Sequence, residues 1–169
     1  MPERYRKLLM WALNAALVLA AVLLQTVLFG RVRFWGAKLA LVPVVVACVS
    51  MHLDAEQAGL FGLAAGFFWY CSGADGAGLV IVSVTAAALL CSWLCVCYLR
   101  RNMLSAALLS ALALLVVQGL LLAFRAFTGV VGPDALRVLF VGTALSLLVC
   151  VPSYYAAAAI RRIYRPQKI

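Results

Sequence analysis

Charged side chains are scarce in this sequence. Of its 169 residues 11% are charged, against about 25% in an ordinary soluble domain, and 67% are apolar. Fourteen lysines and arginines together with five carboxylates could not cover the surface of a soluble globule of this length. The sequence therefore predicts a protein whose solvent is lipid.

Histidine and acidic residues are almost absent, which limits the possible chemistry. One histidine and five carboxylates leave little from which to build a hydrolase, a metal site or a proton relay. We therefore expect a membrane component that is not an enzyme and that holds no cofactor or metal ion. The six cysteines lie within or at the end of apolar runs, where they act as small hydrophobic side chains. They are Cys48, Cys71, Cys91, Cys95, Cys97 and Cys150.

The basic residues give a net charge of +9, but they stand in small groups at the ends of apolar runs. None of the groups forms a continuous stripe with interleaved aromatic residues, so nucleic-acid binding is not expected. The groups read as signals of membrane topology. They are Arg4, Arg6 and Lys7; Arg31, Arg33 and Lys38; Arg100 and Arg101; Arg125; Arg137; and Arg161, Arg162, Arg165 and Lys168.

Four apolar runs are long enough to cross a bilayer. The first is uncharged over 22 residues, which at about 1.5 Å per residue exceeds the roughly 30 Å hydrocarbon core. It is too long for the apolar region of a cleaved signal peptide, so we expect a retained helix. The four predicted spans are Leu8–Phe29, Leu79–Leu99, Met103–Phe124 and Val138–Ile160.

The stretch Leu39–Ser72 is predicted to fold back on itself. As one helix its 34 residues would be about 51 Å long, which is too much for a single crossing. Its arms, Leu39–Leu53 and Gln57–Ser72, are either two short spans or a hairpin that enters the membrane and returns. The sequence thus predicts one all-α membrane domain over residues 1–169, with about six spans. The turn is marked by a polar patch of His52, Asp54, Glu56 and Gln57.

The distribution of lysine and arginine predicts the orientation. With six spans, one side of the membrane collects nine basic residues and the other side five. Basic residues favour the cytoplasmic side, so both termini are expected there, with basic tails at residues 1–7 and 161–169. We expect a multi-pass membrane protein.

The long spans contain no Asp, Glu, Lys, Arg or His, and neutral polar side chains interrupt them. Ion-coupled carriers keep ionisable groups inside the membrane, so coupled transport by this chain alone is not expected. Amides and hydroxyls can instead bond across helices, or contact a ligand or partner. The residues are Asn14, Gln25, Ser83, Thr85, Ser92, Ser105, Ser110, Gln118, Thr143 and Ser146.

Small residues line one face of the second short arm. Ala58, Gly62, Gly66 and Tyr70 follow at intervals of four, with Gly59 beside them. A face without side chains lets a neighbouring backbone approach closely. The stripe therefore predicts helix packing, either within this protein or against another one.

Pro152 lies inside the last predicted span. It cannot donate a hydrogen bond to the carbonyl of Leu148, so a kink is expected there. The basic tail that follows can contact anionic lipid of the bilayer or an acidic partner, and lipid is the simpler of the two.

Several short motifs follow one another along the chain. They are Leu24-Gln25-Thr26; Phe34-Trp35-Gly36; Val42-Pro43; Gly62, Gly66, Ser72 and Gly73 with Gly78 beyond; Arg100-Arg101-Asn102; and Pro152 followed by a basic tail. In this order they resemble the motifs of MreD, the family of small rod shape-determining membrane proteins of bacteria, and the resemblance implies a bacterial cytoplasmic membrane. Tyr70 and Gln118 stand where that family carries acidic residues.

The resemblance implies a non-enzymatic scaffold of the machinery that elongates the cell wall. Such a protein binds the bitopic protein MreC and, through it, couples MreB filaments to RodA and its penicillin-binding transpeptidase. The family is similar in fold to the substrate-binding subunits of energy-coupling factor vitamin transporters, which gives an alternative function. Such a subunit needs a pocket with several oriented polar groups, and the predicted outer links offer few of these.

Overall fold

The computed structural model describes residues 3–28, 39–73, 78–99, 102–129 and 134–164. These residues form helices and short turns, and no strand occurs among them. A five-residue π-helical segment, Leu24–Leu28, continues the first helix. The α-helices are α1 (Glu3–Leu23), α2 (Leu41–Ser50), α3 (Ala55–Cys71), α4 (Leu79–Cys97), α5 (Met103–Phe127), α6 (Ala135–Leu147) and α7 (Cys150–Tyr164).

Three of the helices are long and apolar enough to cross a membrane. They are the segment Leu8–Val27 that begins in α1, then α4 and α5, and a fourth span results if the bent pair α6 and α7 is one crossing. The apolar side chains of α4 and α5 lie all around the helix, which is typical of a membrane span. Within the described residues the chain is therefore all-helical, with three or four such spans, where the sequence predicts about six.

The two arms of residues 39–72 are shorter than a full crossing. Helix α2 has 10 residues and α3 has 17, which correspond to about 15 Å and 25 Å. The predicted fold-back is confirmed, because a turn at Met51–Asp54 separates the two helices. Asp54 is the N-cap residue of α3, and Glu56 lies in the first turn of that helix. The polar patch therefore marks both the end of one arm and the start of the next.

The last predicted span is broken at Leu148 and Val149. Helices α6 and α7 meet there at an angle of 45°. Both residues of the break donate backbone hydrogen bonds to the carbonyl three residues earlier, which tightens the end of α6. Pro152 follows in the first turn of α7, where the missing N–H of proline does no harm. The predicted kink is thus present, and it lies just before the proline.

The contacts between helices define two ends of the bundle. Gln25, near the end of the first span, bonds to the start of α2, while His52, two residues after the end of α2, contacts Arg161 near the end of α7. Helix α1 therefore runs antiparallel to α7, and its start lies at the same end of the bundle as the C-terminus of α7. We call this end the terminal end. The turn at 51–54 also lies there, and the start of α2 lies at the opposite end.

Some predicted features fall outside the described residues. They include the basic link 31–38 with its Phe-Trp-Gly motif, the arginines at 100–101 and the tail beyond Tyr164.

Candidate functional site: a buried helix and its polar contacts

Helix α2 lies in the interior of the bundle. All ten of its residues are buried, from Leu41 to Ser50. It contacts every other α-helix that the structure describes. A helix in the interior of a bundle cannot leave its terminal N–H and C=O groups to water, so other side chains have to bond to them. Polar side chains of neighbouring helices meet this requirement at the start of α2 and in the turn that follows it.

The start of α2 is capped by two side chains from other helices. The Oε1 atom of Gln25 accepts hydrogen bonds from the backbone N–H groups of Leu41 and Val42, at 2.8 and 3.0 Å. The Oγ atom of Ser146 accepts one from the N–H of Ala40, also at 3.0 Å. Pro43, which follows Val42 in the helix, has no N–H. The first donors of this buried helix are thereby all satisfied.

Gln25 reaches this position from the π-helical segment. A π-helical turn adds a residue to the helix and shifts the side chains that follow it, and such turns are frequent at functional sites. Thr26, the next residue, bonds back to the carbonyl of Val22 at 2.9 Å, within its own helix. The segment therefore directs one polar side chain into the bundle and keeps the other on its own backbone.

Two thiols and a hydroxyl meet beside the last turn of α2. The Oγ atom of Ser110 on α5 lies 3.7 Å from Sγ of Cys48 and 3.4 Å from Sγ of Cys150. Sγ of Cys48 lies 4.0 Å from the carbonyl oxygen of Cys150. All three residues are buried, and each belongs to a different helix. We call this group the thiol cluster.

Two carbonyls of the turn that follows α2 are bonded by side chains of α4. The hydroxyl of Ser92 donates to the carbonyl oxygen of Leu53 at 2.9 Å. The thiol of Cys95 donates to the carbonyl of Met51 at 3.6 Å. Ser92 and Cys95 are both buried and lie three residues apart, so a single face of α4 holds the turn between α2 and α3.

The histidine at the terminal end contacts α7. Nδ1 of His52 lies 3.3 Å from a guanidinium nitrogen of Arg161, and the rings of His52 and Tyr154 have centroids 6.2 Å apart. Because guanidinium only donates, Nδ1 of His52 is the acceptor and its imidazole is neutral in this arrangement. The contact joins the polar patch of the fold-back to the start of the basic tail.

The glycines of α3 pack against α4 within this protein. A Cβ atom added to Gly62 would lie 2.6 Å from Cβ of Ala88, and one added to Gly66 would lie 2.9 Å from the backbone Cα of Ile81. Both distances are shorter than real Cβ contacts. The two helices therefore approach closely only because both positions are glycine, and this face of α3 is covered by the protein itself.

The other residues of the stripe differ in their surroundings. Ala58 is fully buried, and a Cβ atom on Gly59 would meet the end of the flexible Leu89 side chain at 3.0 Å. Tyr70, which the spacing places on the same face, is 43% exposed near the end of α3. The close contact with α4 therefore involves Gly62 and Gly66, with Ala58 buried further along.

Two predicted residues lie away from α2. Gln118 is half-buried on α5, and among the described residues it has no hydrogen-bond partner. Pro152 is exposed in the first turn of α7. Of Gln25, Gln118 and Pro152, only Gln25 lies at the buried helix, together with the predicted hydroxyls of Ser92, Ser110 and Ser146.

Several residues that contact α2 are less clearly indicated by the sequence than Gln25 is. In the sequence Ser146 is one hydroxyl among several, and the apolar runs around Cys48 and Cys150 predict that both act as small hydrophobic side chains. The pairs that meet here are far apart in the chain, by 106 residues for Ala40 and Ser146 and by 102 for the two thiols. The one available signal was the polar character of serine and cysteine inside spans, which does not identify the partner.

The chemistry of this arrangement is that of helix packing. The buried polar side chains among the described residues are all neutral, and those at α2 bond mainly to backbone groups of the chain itself. Within that part of the chain, no group of three or more His, Cys, Asp or Glu side chains could hold a metal ion. No protein-family model, curated protein or solved structure matches the chain.

Proposed function

We propose that this protein is a membrane scaffold of the bacterial cell-wall elongation machinery, similar to MreD. The observation that supports this most is the use of its buried polar groups. Gln25, Ser146 and Ser92 bond to the backbone around α2, so they hold helices together. A coupled carrier needs ionisable groups inside its spans, and the buried polar groups described here are neutral.

We further propose that the chain crosses the membrane six times, with α2 and α3 as short crossings. Successive segments alternate in direction, and α6 and α7 together form the sixth. The basic residues of both tails then lie at the terminal end, where Arg161 and Arg162 occupy the last turn of α7. The excess of basic residues at this end favours a cytoplasmic location for both termini. The proposed location is the bacterial cytoplasmic membrane.

This topology makes a direct prediction for reporter fusions. A phosphatase that is active only outside the cytoplasm should be inactive when fused after Ile169. The same enzyme should be active when it is inserted between Thr128 and Asp134, at the opposite end of the bundle. A fluorescent protein that matures only in the cytoplasm serves as the matched control at both sites. The reverse pattern of activity would contradict the orientation, and activity of the phosphatase at both sites would contradict a crossing formed by α6 and α7 together.

The proposed direct partner is a bitopic protein of the MreC type. Through it the chain would reach MreB, RodA and a penicillin-binding transpeptidase. Because the glycine face of α3 is covered by α4, a partner has to bind one of the outward faces. Those faces carry large exposed side chains such as Leu60, Phe67 and Trp93, which can contact lipid or a partner helix.

A cellular experiment tests the proposed role. Depletion of this protein from a rod-shaped bacterium that carries it should produce rounded cells, because lateral wall synthesis loses its membrane scaffold. Expression of the wild-type chain should restore rods. A variant with Gly62 replaced by leucine should not, because that replacement disrupts the α3 and α4 contact. Cells that keep their rod shape after depletion would overturn the proposal.

The alternative function, a substrate-binding subunit of a vitamin transporter, is compatible with the same proposed helical fold. It requires oriented polar groups that are available to a ligand. At the start of α2, the oxygens of Gln25 and Ser146 already accept backbone N–H groups. This occupancy favours the scaffold over the transporter subunit.

A further inference from the structure

The outward side of α5 carries a heptad repeat. Six residues recur along it at alternating intervals of four and three, which is the spacing that places residues in the seam of a coiled coil. None of them is buried, and the side chains of Leu104, Leu108 and Leu115 are 76%, 57% and 44% exposed. Buried residues of α5 such as Leu109 and Ala113 lie on the opposite side of the helix. We call the set the α5 outer face; it consists of Leu104, Leu108, Ala111, Leu115, Gln118 and Leu122.

One member of the α5 outer face is an amide in the interior of the span. Gln118 lies three residues beyond Leu115, the middle residue of α5, which is about 5 Å along the helix axis. It has no hydrogen-bond partner in the described part of the chain. A Cβ atom added to the neighbouring Gly119 would meet no described atom within 4 Å, so the chain leaves this part of α5 open. Hydrocarbon supplies no hydrogen bond, so an amide at this depth needs a polar partner from another chain.

We propose that the α5 outer face binds the same face of a second copy of this chain, with the two Gln118 amides bonded to each other. Two copies that insert in the same orientation have parallel α5 helices. A twofold axis along the membrane normal then places each residue of the face against its own counterpart. A carboxamide has a partially negative oxygen and partially positive N–H groups, so its charges are complementary to those of an identical group. A carboxylate or an ammonium group at this position would repel its counterpart.

The apolar members of the α5 outer face supply the packing around the amide pair. Parallel helices with this repeat pack side chains of one helix between those of the other, and many membrane bundles have the same crossing angle. A single polar residue in such a seam fixes the register of the two helices. The repeat ends at Leu122. Arg125, at the next position, lies in the last turn of α5, where its long side chain can extend to the lipid headgroups.

This inference does not depend on the proposed scaffold function. The faces of α3 and α4 that carry Leu60, Phe67 and Trp93 are separate from the α5 outer face. A dimer through α5 therefore leaves those faces open to a single-span partner. The dimer can form in lipid without that partner, so it can be tested with the purified chain.

Cysteine cross-linking tests which side of α5 meets the second copy. The full chain, with exposed Cys71 and Cys97 both replaced by serine, receives one new cysteine and is inserted into vesicles of phosphatidylethanolamine and phosphatidylglycerol. Oxidation with copper phenanthroline should join copies that carry Leu108→Cys or Leu115→Cys. Leu120→Cys is the matched control, because Leu120 is 41% exposed but lies on the other side of α5. It should give no more cross-linked dimer than the chain without a new cysteine.

Energy transfer between labelled copies tests the role of Gln118. Cys97 carries a donor dye in one preparation and an acceptor dye in the other, with Cys71 replaced by serine. In the same vesicles the transfer should rise with the ratio of protein to lipid. Gln118→Leu should weaken association about threefold to thirtyfold, which is the range expected for the loss of a hydrogen bond between membrane helices. Gln118→Asn keeps an amide and should associate more tightly than Gln118→Leu.

The folding of the variants is measured separately from their association. Because Gln118 has no partner in the described part of its own chain, Gln118→Leu should keep the melting temperature of the diluted monomer. A chain that stays monomeric at every ratio of protein to lipid would overturn the proposal. Cross-linking that is strongest at Leu120→Cys, or equal association of the wild type and Gln118→Leu, would also overturn it.

Discussion

Replacing Gly66 with leucine is expected to prevent α3 from packing against α4 and to leave little folded protein. A Cβ atom at this position would lie 2.9 Å from Cα of Ile81, which is backbone and cannot rotate away. Even Gly66→Ala should cost about 1–3 kcal/mol from overpacking, and leucine considerably more. The measurement is the yield of monodisperse protein on size-exclusion chromatography, followed by thermal unfolding monitored by tryptophan fluorescence.

The other glycines supply graded controls for this result. Gly62→Ala should destabilise in the same way, since its Cβ would lie 2.6 Å from Cβ of Ala88. Gly59→Ala should cost less, because its Cβ meets the movable end of the Leu89 side chain. Gly119→Ala should be neutral or stabilising, because that position is open and alanine favours the helix. Equal effects at Gly66 and Gly119 would contradict the close contact of α3 and α4.

Replacing Gln25 with leucine is expected to destabilise the bundle by about 2–4 kcal/mol. The change keeps the approximate size of the side chain but removes the acceptor for the N–H groups of Leu41 and Val42. Each buried donor that is left without an acceptor costs about 1–3 kcal/mol. The start of α2 should loosen first. Thermal unfolding measures the loss, and hydrogen exchange of residues 41–45 should show faster exchange than in the wild type.

Gln118→Leu is the matched control for this change. Gln118 is also a glutamine inside a long span, but it has no hydrogen-bond partner in the described part of the chain. Its replacement should leave the melting temperature nearly unchanged. Ser146→Ala should give an intermediate effect, because a single N–H, that of Ala40, loses its acceptor. If Gln118→Leu proved as destabilising as Gln25→Leu, capping of α2 by Gln25 would not explain the effect.

Sequence patterns predicted the features of the fold that depend on local chemistry. The length of the apolar runs identified the helices that could span a membrane. The polar patch at His52 and Asp54 predicted the fold-back, since polar groups at that point interrupt the apolar run. Pro152 predicted the kink of the last span because proline cannot continue a helical ladder.

The position of α2 in the interior could not be predicted in this way. In lipid, an apolar helix that faces its neighbours and one that faces the bilayer have similar compositions, so the sequence of α2 did not show which applied. Its two most visible cues were its short length and its proline. Both also fit a short crossing or a hairpin, which the fold-back left open.

The hydrogen-bond partners of the polar side chains could not be predicted from the sequence either. Gln25 was identified as a neutral amide that could bond across helices, but the choice of α2 as its partner depends on the π-helical segment and on the path of the chain. The glycine stripe predicted close packing of α3 but did not identify α4 as the helix that packs against it. The thiol cluster unites residues 62 and 102 positions apart, so no local pattern could reveal it.

The central claim, that the chain is a scaffold which binds a bitopic partner, is tested most directly by native mass spectrometry. The full chain would be expressed from its own genome, together with the neighbouring genes, and purified in mild detergent. The scaffold predicts a complex of this chain with a single-span protein of the MreC type, and no bound vitamin. A chain recovered without that protein and with one tightly bound vitamin molecule would contradict the claim and favour a transporter subunit.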